Sequence, residues 1–157
     1  MGLYTMPAVH ALCLIPEQTP DHPRIAMLET GIGRLYEEHI GQGSRLRMIW
    51  LFLPAGSTYL AGQPANVSAV MLPVPDGLSD AVRHTLMHAI NTLWRSVVND
   101  SDLVLNVPDQ RYAAAYTRAL HQRFHPVLGL PRQLHLVANL LASRWRHGYF
   151  GAHLNQD

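Results

Sequence analysis

Hydrophobic positions along this chain fall into two kinds of run, and the order of the runs repeats. Residues 7–15 are mostly apolar without clean alternation, as in a strand covered on both faces. Ile25, Leu28, Ile32, Leu35, Tyr36 and Ile40 then recur at helical spacing across 22–40. Residues 46–53, Leu-Arg-Met-Ile-Trp-Leu-Phe-Leu, have the strongest strand character in the chain. About sixty residues further on the same order returns, which marks an internal duplication. Residues 67–73 read as a strand and 79–98 as a helix with Val82, Leu86, Ala89, Ile90, Leu93 and Val97 on its apolar face. Residues 101–107 read as the closing strand. Each unit is therefore a β-α-β, with parallel strands and a right-handed crossover.

Local signals support these boundaries. Thr19-Pro20-Asp21-His22-Pro23 is a dense helix start, with Thr19 or Asp21 as cap and proline in the first turn. Gly31 and Gly33 each cost the helix about 1 kcal/mol relative to alanine, so close packing against a neighbour is expected there. Gly41-Gln42-Gly43 ends that helix, and Ser79 caps the second. Residues 54–66 form a loop rich in Gly, Ala and Pro with Tyr59 in its middle, a length that often lines sites. Residues 108–157 have no counterpart in the repeat. Helices are expected at 109–124 and 131–145, around a turn at His125-Pro126. The end, 144–157, mixes aromatic, basic and glycine residues, a composition that would suit packing on a neighbouring subunit but does not by itself show it.

Composition adds exclusions. A chain of 157 residues suits one domain with a real core. No stretch is apolar enough to cross a membrane, and no basic flank leads into an apolar core as in a signal peptide. The formal net charge of +1 gives no reason to expect nucleic acid. Cys13 is the single cysteine, which excludes an intrachain disulfide and suits a reducing, cytoplasmic interior. Lysine is absent, so every fixed side-chain cation is an arginine.

Three features in order along the chain carry a family resemblance. Met6-Pro7 precedes an apolar strand, Ser44-Arg45-Leu46-Arg47-Met48 opens the next strand with an arginine, and residues 54–62 form a loop containing Tyr59. Together with the duplicated β-α-β, this resembles the tautomerase superfamily, whose members include 4-oxalocrotonate tautomerase and macrophage migration inhibitory factor. The resemblance covers 7–107. It implies an α/β (α+β) fold with a duplicated β-α-β core, a four-stranded sheet bearing two helices on one face, and a homotrimer. Here C-terminal helices would be added. Residues 1–157 would form a single tautomerase-like domain: repeat one at 7–53, repeat two at 67–107 and an extension at 108–157.

The resemblance also implies chemistry. Members begin at the proline, and its secondary amine is the acid–base group. In this chain Pro7 follows residues 1–6 and is an amide as written, neither basic nor nucleophilic. If translation starts at Met6 and that methionine is removed, Pro7 is a free amine. An α-amino group titrates near about pH 8, and an apolar pocket and a nearby arginine both lower that value. The neutral amine can then move a proton beside a carbonyl. Arg47 would clamp a substrate carboxylate in a bidentate pair, and Tyr59 would bond the enol oxygen or wall the pocket. Arg24 and Arg34 are candidate second cations for substrate binding, although Arg34 lies mid-helix, where a solvated or interface residue is expected. The resulting expectation is a tautomerase-like enzyme, cofactor-independent, acting on a small 2-oxo or enol carboxylate by isomerisation, dehalogenation, hydration or decarboxylation. The alternative is a non-catalytic oligomeric scaffold of the same fold with Pro7 internal.

Structural readings stand beside these. Proline is permitted at a strand start. Arg47 alternates opposite Leu46, as a surface or interface ion pair would. Trp50 and Trp94 are expected in the core or between subunits. The pairs His84/His88 and His121/His125 are spaced for one helix face, but neither has a zinc-protease glutamate or a clear third ligand, so no metal is expected.

Overall fold

The apolar runs pair into one sheet. In this computed structural model, residues 8–17, 21–99, 102–124 and 130–153 are described. The elements are β1 (Val9–Pro16), α1 (His22–Ile40), β2 (Leu46–Leu53), the short β3 (Tyr59–Leu60) and β4 (Gln63–Pro64), β5 (Val67–Met71), α2 (Asp80–Val97), β6 (Asp102–Asn106), α3 (Gln110–Phe124), α4 (Leu130–His147) and β7 (Phe150–His153). The strand order is β6-β5-β1-β2-β7, with β3 and β4 forming a separate hairpin. β1 and β2 run parallel, as do β5 and β6, and the two units join where β1 meets β5 antiparallel. This is the α/β architecture expected from the duplication.

The four strands of the duplicated core are present, and the sheet has a fifth. The end of the chain supplies it, with Phe150 to His153 in parallel register with Ile49 to Phe52. Gly148, at φ 84°, allows the reversal after α4 that returns the chain along β2. Pairing there covers an edge that would otherwise expose unpaired backbone groups.

Alternation fixes which side of the sheet is covered. Ala11, Cys13 and Ile15 of β1, Met48, Trp50 and Phe52 of β2, and Val70 of β5 join Ile25, Leu28, Ile32 and Tyr36 of α1 and Leu86, Ile90 and Trp94 of α2 in one buried cluster. Each such large side chain contributes about 1.5–3 kcal/mol of burial. Both helices therefore lie on one face. Trp50 and Trp94 stack between the units, with centroids 6.3 Å apart, and Trp50 Nε1 donates to Glu29 at 3.0 Å. Burial pushes the Glu29 carboxyl up, opposed by that hydrogen bond and by Arg144, and it pushes the Cys13 thiol far up, with help from Glu29. The opposite face, including Leu12, Leu14, Ile49, Leu51, Ala69 and Met71, is only half-buried.

Asp21 is the cap of α1, accepting from Arg24 N at 3.1 Å. Of the two helix glycines, Gly31 has the expected tight neighbour: a Cβ there would lie 2.5 Å from Leu93 Cδ2. Gly33 has nothing within 4 Å, so close packing does not account for it.

Candidate functional sites at the two ends of the first strand

Pro7 lies outside the described residues. The strand that follows it begins with Val9 N donating to Arg45 O at 2.8 Å, and the parallel register sets Val9 beside Leu46 and His10 beside Arg47. Arg47 is thus next to the start of β1, exposed, on the face away from α1 and α2. Its guanidinium lies 5.7 Å from the Phe150 ring centroid, and Arg144 stands at the same distance from that ring. Among the described residues no carboxylate pairs with Arg47. On the other side of β1, toward β5 and α3, a cleft of about 250 Å³ is bordered by Ala8, Val9 and His10, by Met71, and by Ala113 and Thr117; Arg47 does not line it.

The other expected site residues lie elsewhere. Tyr59 is 65 % exposed on the β3–β4 hairpin. The turn of that hairpin is Ala61-Gly62, both left-handed, at φ 50° and 79°. Thr58 and Pro64 at the base of the hairpin share a small cleft with Pro16, the last residue of β1. Tyr59 therefore belongs to the end of the sheet opposite Arg47. Arg24 is exposed and sits 3.9 Å from Asp21 at the start of α1. Arg34 is exposed on α1 and borders a shallow depression with Glu37 and Glu38. One chain brings Arg47 to the residues following Pro7, and does not bring Tyr59 or Arg24 there.

A cleft of about 510 Å³ lies at the far end of β1, and sequence reasoning missed it. Glu17 after β1, His22 at the start of α1, Arg146 and His147 at the end of α4, and Tyr149 and His153 around β7 converge on it. His22 Nδ1 and the buried Tyr149 hydroxyl are hydrogen-bonded. The imidazoles of His22 and His147 stack, with centroids 4.0 Å apart and planes 11° from parallel. His153 Nδ1 stands 3.1 Å from Glu17 Oε1, and its ring stacks on Phe52. Local desolvation, then His22 and Arg146, hold the His147 imidazole below the ordinary histidine range, while burial pushes the Tyr149 hydroxyl up. Helical spacing in the sequence points instead to the pairs His84/His88 and His121/His125. His84 and His88 are exposed on α2, and His125 lies outside the described residues. Among the described residues no group of three or more His, Cys, Asp or Glu is arranged to hold a metal.

No family model matches the sequence, and no curated protein matches it. Solved structures do match the fold. Native Ps01740 aligns with 64 % of this chain and 92 % of its own, at a TM-score of 0.59 and 22 % identity. A fused 4-OT solved as a symmetric trimer aligns with 64 % of this chain and 85 % of its own, at 0.56 and 14 %. A member of the cis-3-chloroacrylic acid dehalogenase family aligns with 64 % of this chain and 75 % of its own, at 0.56 and 16 %. The chain shares the fold of these solved structures, the architecture that the resemblance to the tautomerase superfamily implied. About a third of this chain lies outside those alignments.

Proposed function

We propose that this protein is a tautomerase-like enzyme that moves a proton on a small 2-oxo or enol carboxylate, using the amine of Pro7 in a chain that begins at that residue. The observation that carries the reading is the register of β1 with β2. It sets Arg47, an exposed guanidinium with no carboxylate partner among the described residues, beside the strand start that follows Pro7. A carboxylate clamped by Arg47 would hold the adjacent carbon near a base at residue 7, and fixing that geometry is itself a large part of such a rate enhancement. The proposed chemistry is proton transfer by protein groups alone, in the cytoplasm. Isomerisation, dehalogenation, hydration and decarboxylation all remain within its reach.

Assembly as a homotrimer is part of the proposal. The half-buried apolar face of the sheet supports it, and so do the fused 4-OT structures solved as trimers. Tyr59 stands away from Arg47 in its own chain, so its part in a pocket would be played from a neighbouring subunit. Arg24 and Arg34, both exposed, are proposed to reach a substrate in the same way.

Arg47→Ala tests the clamp. It is expected to lower kcat/KM for a carboxylate substrate by about 10–100-fold, the worth of a charge-assisted hydrogen bond, and to change a neutral analogue far less. Equal loss for both would remove Arg47 from that role. One observation favours a second reading. Residues 1–6 precede Pro7 in this chain, and if they are retained the amine is an amide and the sheet serves as an oligomeric scaffold.

A further inference from the structure

The cleft at the far end of β1 contains groups that the proton-transfer proposal does not use. We propose that it binds a compact oxyanion, the carboxylate or phosphate group of a small ligand, between the Arg146 guanidinium and the imidazoles of His147 and His22.

The polar groups of the cleft divide into those already engaged and those left open. Glu17 is taken by His153, at 3.1 Å. Asp21 accepts from Arg24 N at 3.1 Å and lies 3.9 Å from the Arg24 guanidinium. With both carboxylates occupied, Arg146 has no ion-pair partner among the described residues. The Nδ1 of His22 is committed to Tyr149, which orients the ring and leaves its Nε2 free for a ligand. His147 stacks flat on that ring and sits next to Arg146. Protonation of either imidazole sets a second positive charge near the Arg146 guanidinium, and an anion bound against these groups turns that repulsion into attraction. The volume of about 510 Å³ leaves room for such a ligand.

The geometry couples binding to a proton. His22 from α1 and Tyr149 beside β7 stack on or near His147, Arg146 lies next to it, and His153, Glu17 and Asp21 are the other titratable groups that line the cleft. Desolvation, His22 and Arg146 hold the His147 imidazole below the ordinary histidine range. A bound oxyanion favours its cation. The bound state then carries more protons than the free state, and affinity rises as pH falls toward the ordinary histidine value of about 6.5.

The full chain, with its histidine ring nitrogens isotopically labelled, is titrated by NMR with acetate and, separately, with sulfate. These stand for a carboxylate and a phosphate group, and neither changes charge between about pH 6 and pH 8. The expected result is saturable shifts concentrated on His22 and His147, with affinity about tenfold higher near pH 6, the worth of about one pKa unit of proton coupling. The anion that saturates at lower concentration identifies the ligand group. Arg146→Gln is expected to weaken binding about tenfold with Tm unchanged, while Arg95→Gln on exposed α2 surface leaves it unaltered. Shifts that grow linearly without saturating, equal affinity at the two pH values, or an Arg146→Gln chain that binds like the parent would each overturn the proposal. No readout involves residue 7, so this site stands or falls apart from the proposed enzyme activity.

Discussion

The unit β1-α1-β2 ends on an edge covered by β7 of the same chain, whereas β5-α2-β6 ends on β6, whose Asp102, Val104 and Asn106 are exposed. Both units bury the same kind of helix against the same kind of parallel strand pair. They differ in how they hold the C-terminal extension. The second unit anchors its start: Arg83 of α2 reaches Asp109 at 2.7 Å and also bonds Val107 O, while Gln110 N donates to Val74 O at 2.8 Å. The first unit holds the end of the extension through β7 and the Tyr149–His22 contact. A duplicated core can thus give each copy a separate task. Here the first copy carries Arg47, the strand that follows Pro7, and one wall of the histidine cleft.

The strongest challenge to this comparison is aimed at what the units share. Trp94→Ala is expected to cost about 3–5 kcal/mol and to lower one cooperative transition in chemical denaturation, because Trp94 stacks on Trp50 of the other unit. Two separated transitions in the parent protein would mean that the units have independent cores. Arg83→Met removes the anchor of the extension and is expected to lower Tm by less than the core truncation. The Arg83 guanidinium beside Asp109 holds that carboxyl below its usual range. Stability from the pair is therefore present above about pH 4 and lost as pH falls through the lower folded value. The Tm gap between parent and Arg83→Met should close in acid, and a gap that stays constant with pH would show that packing rather than the ion pair is what Arg83 supplies.

The two glycines of α1 give the smallest and sharpest contrast. Gly33→Ala is expected to stabilise by about 0.5–1 kcal/mol, since the position is helical and open. At Gly31 the new methyl meets Leu93 of α2, and the displaced side chain offsets that gain. Equal stabilisation by both, measured by denaturant titration, would mean that α1 and α2 are not closely packed there.

Much of this fold was legible in the order of residues. The seven apolar positions among the eight residues of β2 and the helical spacing from Ile25 to Tyr36 follow from periodicity, and Asp21 and Ser79 cap where their types and places lead one to expect. β7 was not legible. Four residues give no periodicity, and β2, its partner, lies about a hundred positions upstream, where no local pattern reaches. The histidine cleft escaped for a related reason. His22 and Tyr149 are 127 residues apart and meet only once β7 has docked, whereas the spacings that can be scanned along a chain are helical pairs such as His84 and His88. Arg47 sits on the exposed side that its alternation against Leu46 implied. Its nearness to the residues following Pro7 rests on the parallel register, which sequence implies only through the duplication.

The account turns on residue 7, and the most direct measurement compares two chains. One begins at Pro7 and the other retains residues 1–6, with both N-termini verified by intact mass. Each is offered the same enol-pyruvate-type carboxylate. The account predicts proton-transfer turnover in the chain beginning at Pro7 and a loss of about a hundredfold or more in the longer one, the scale of a positioned general base. Equal rates in the two chains, or turnover in neither, would contradict it.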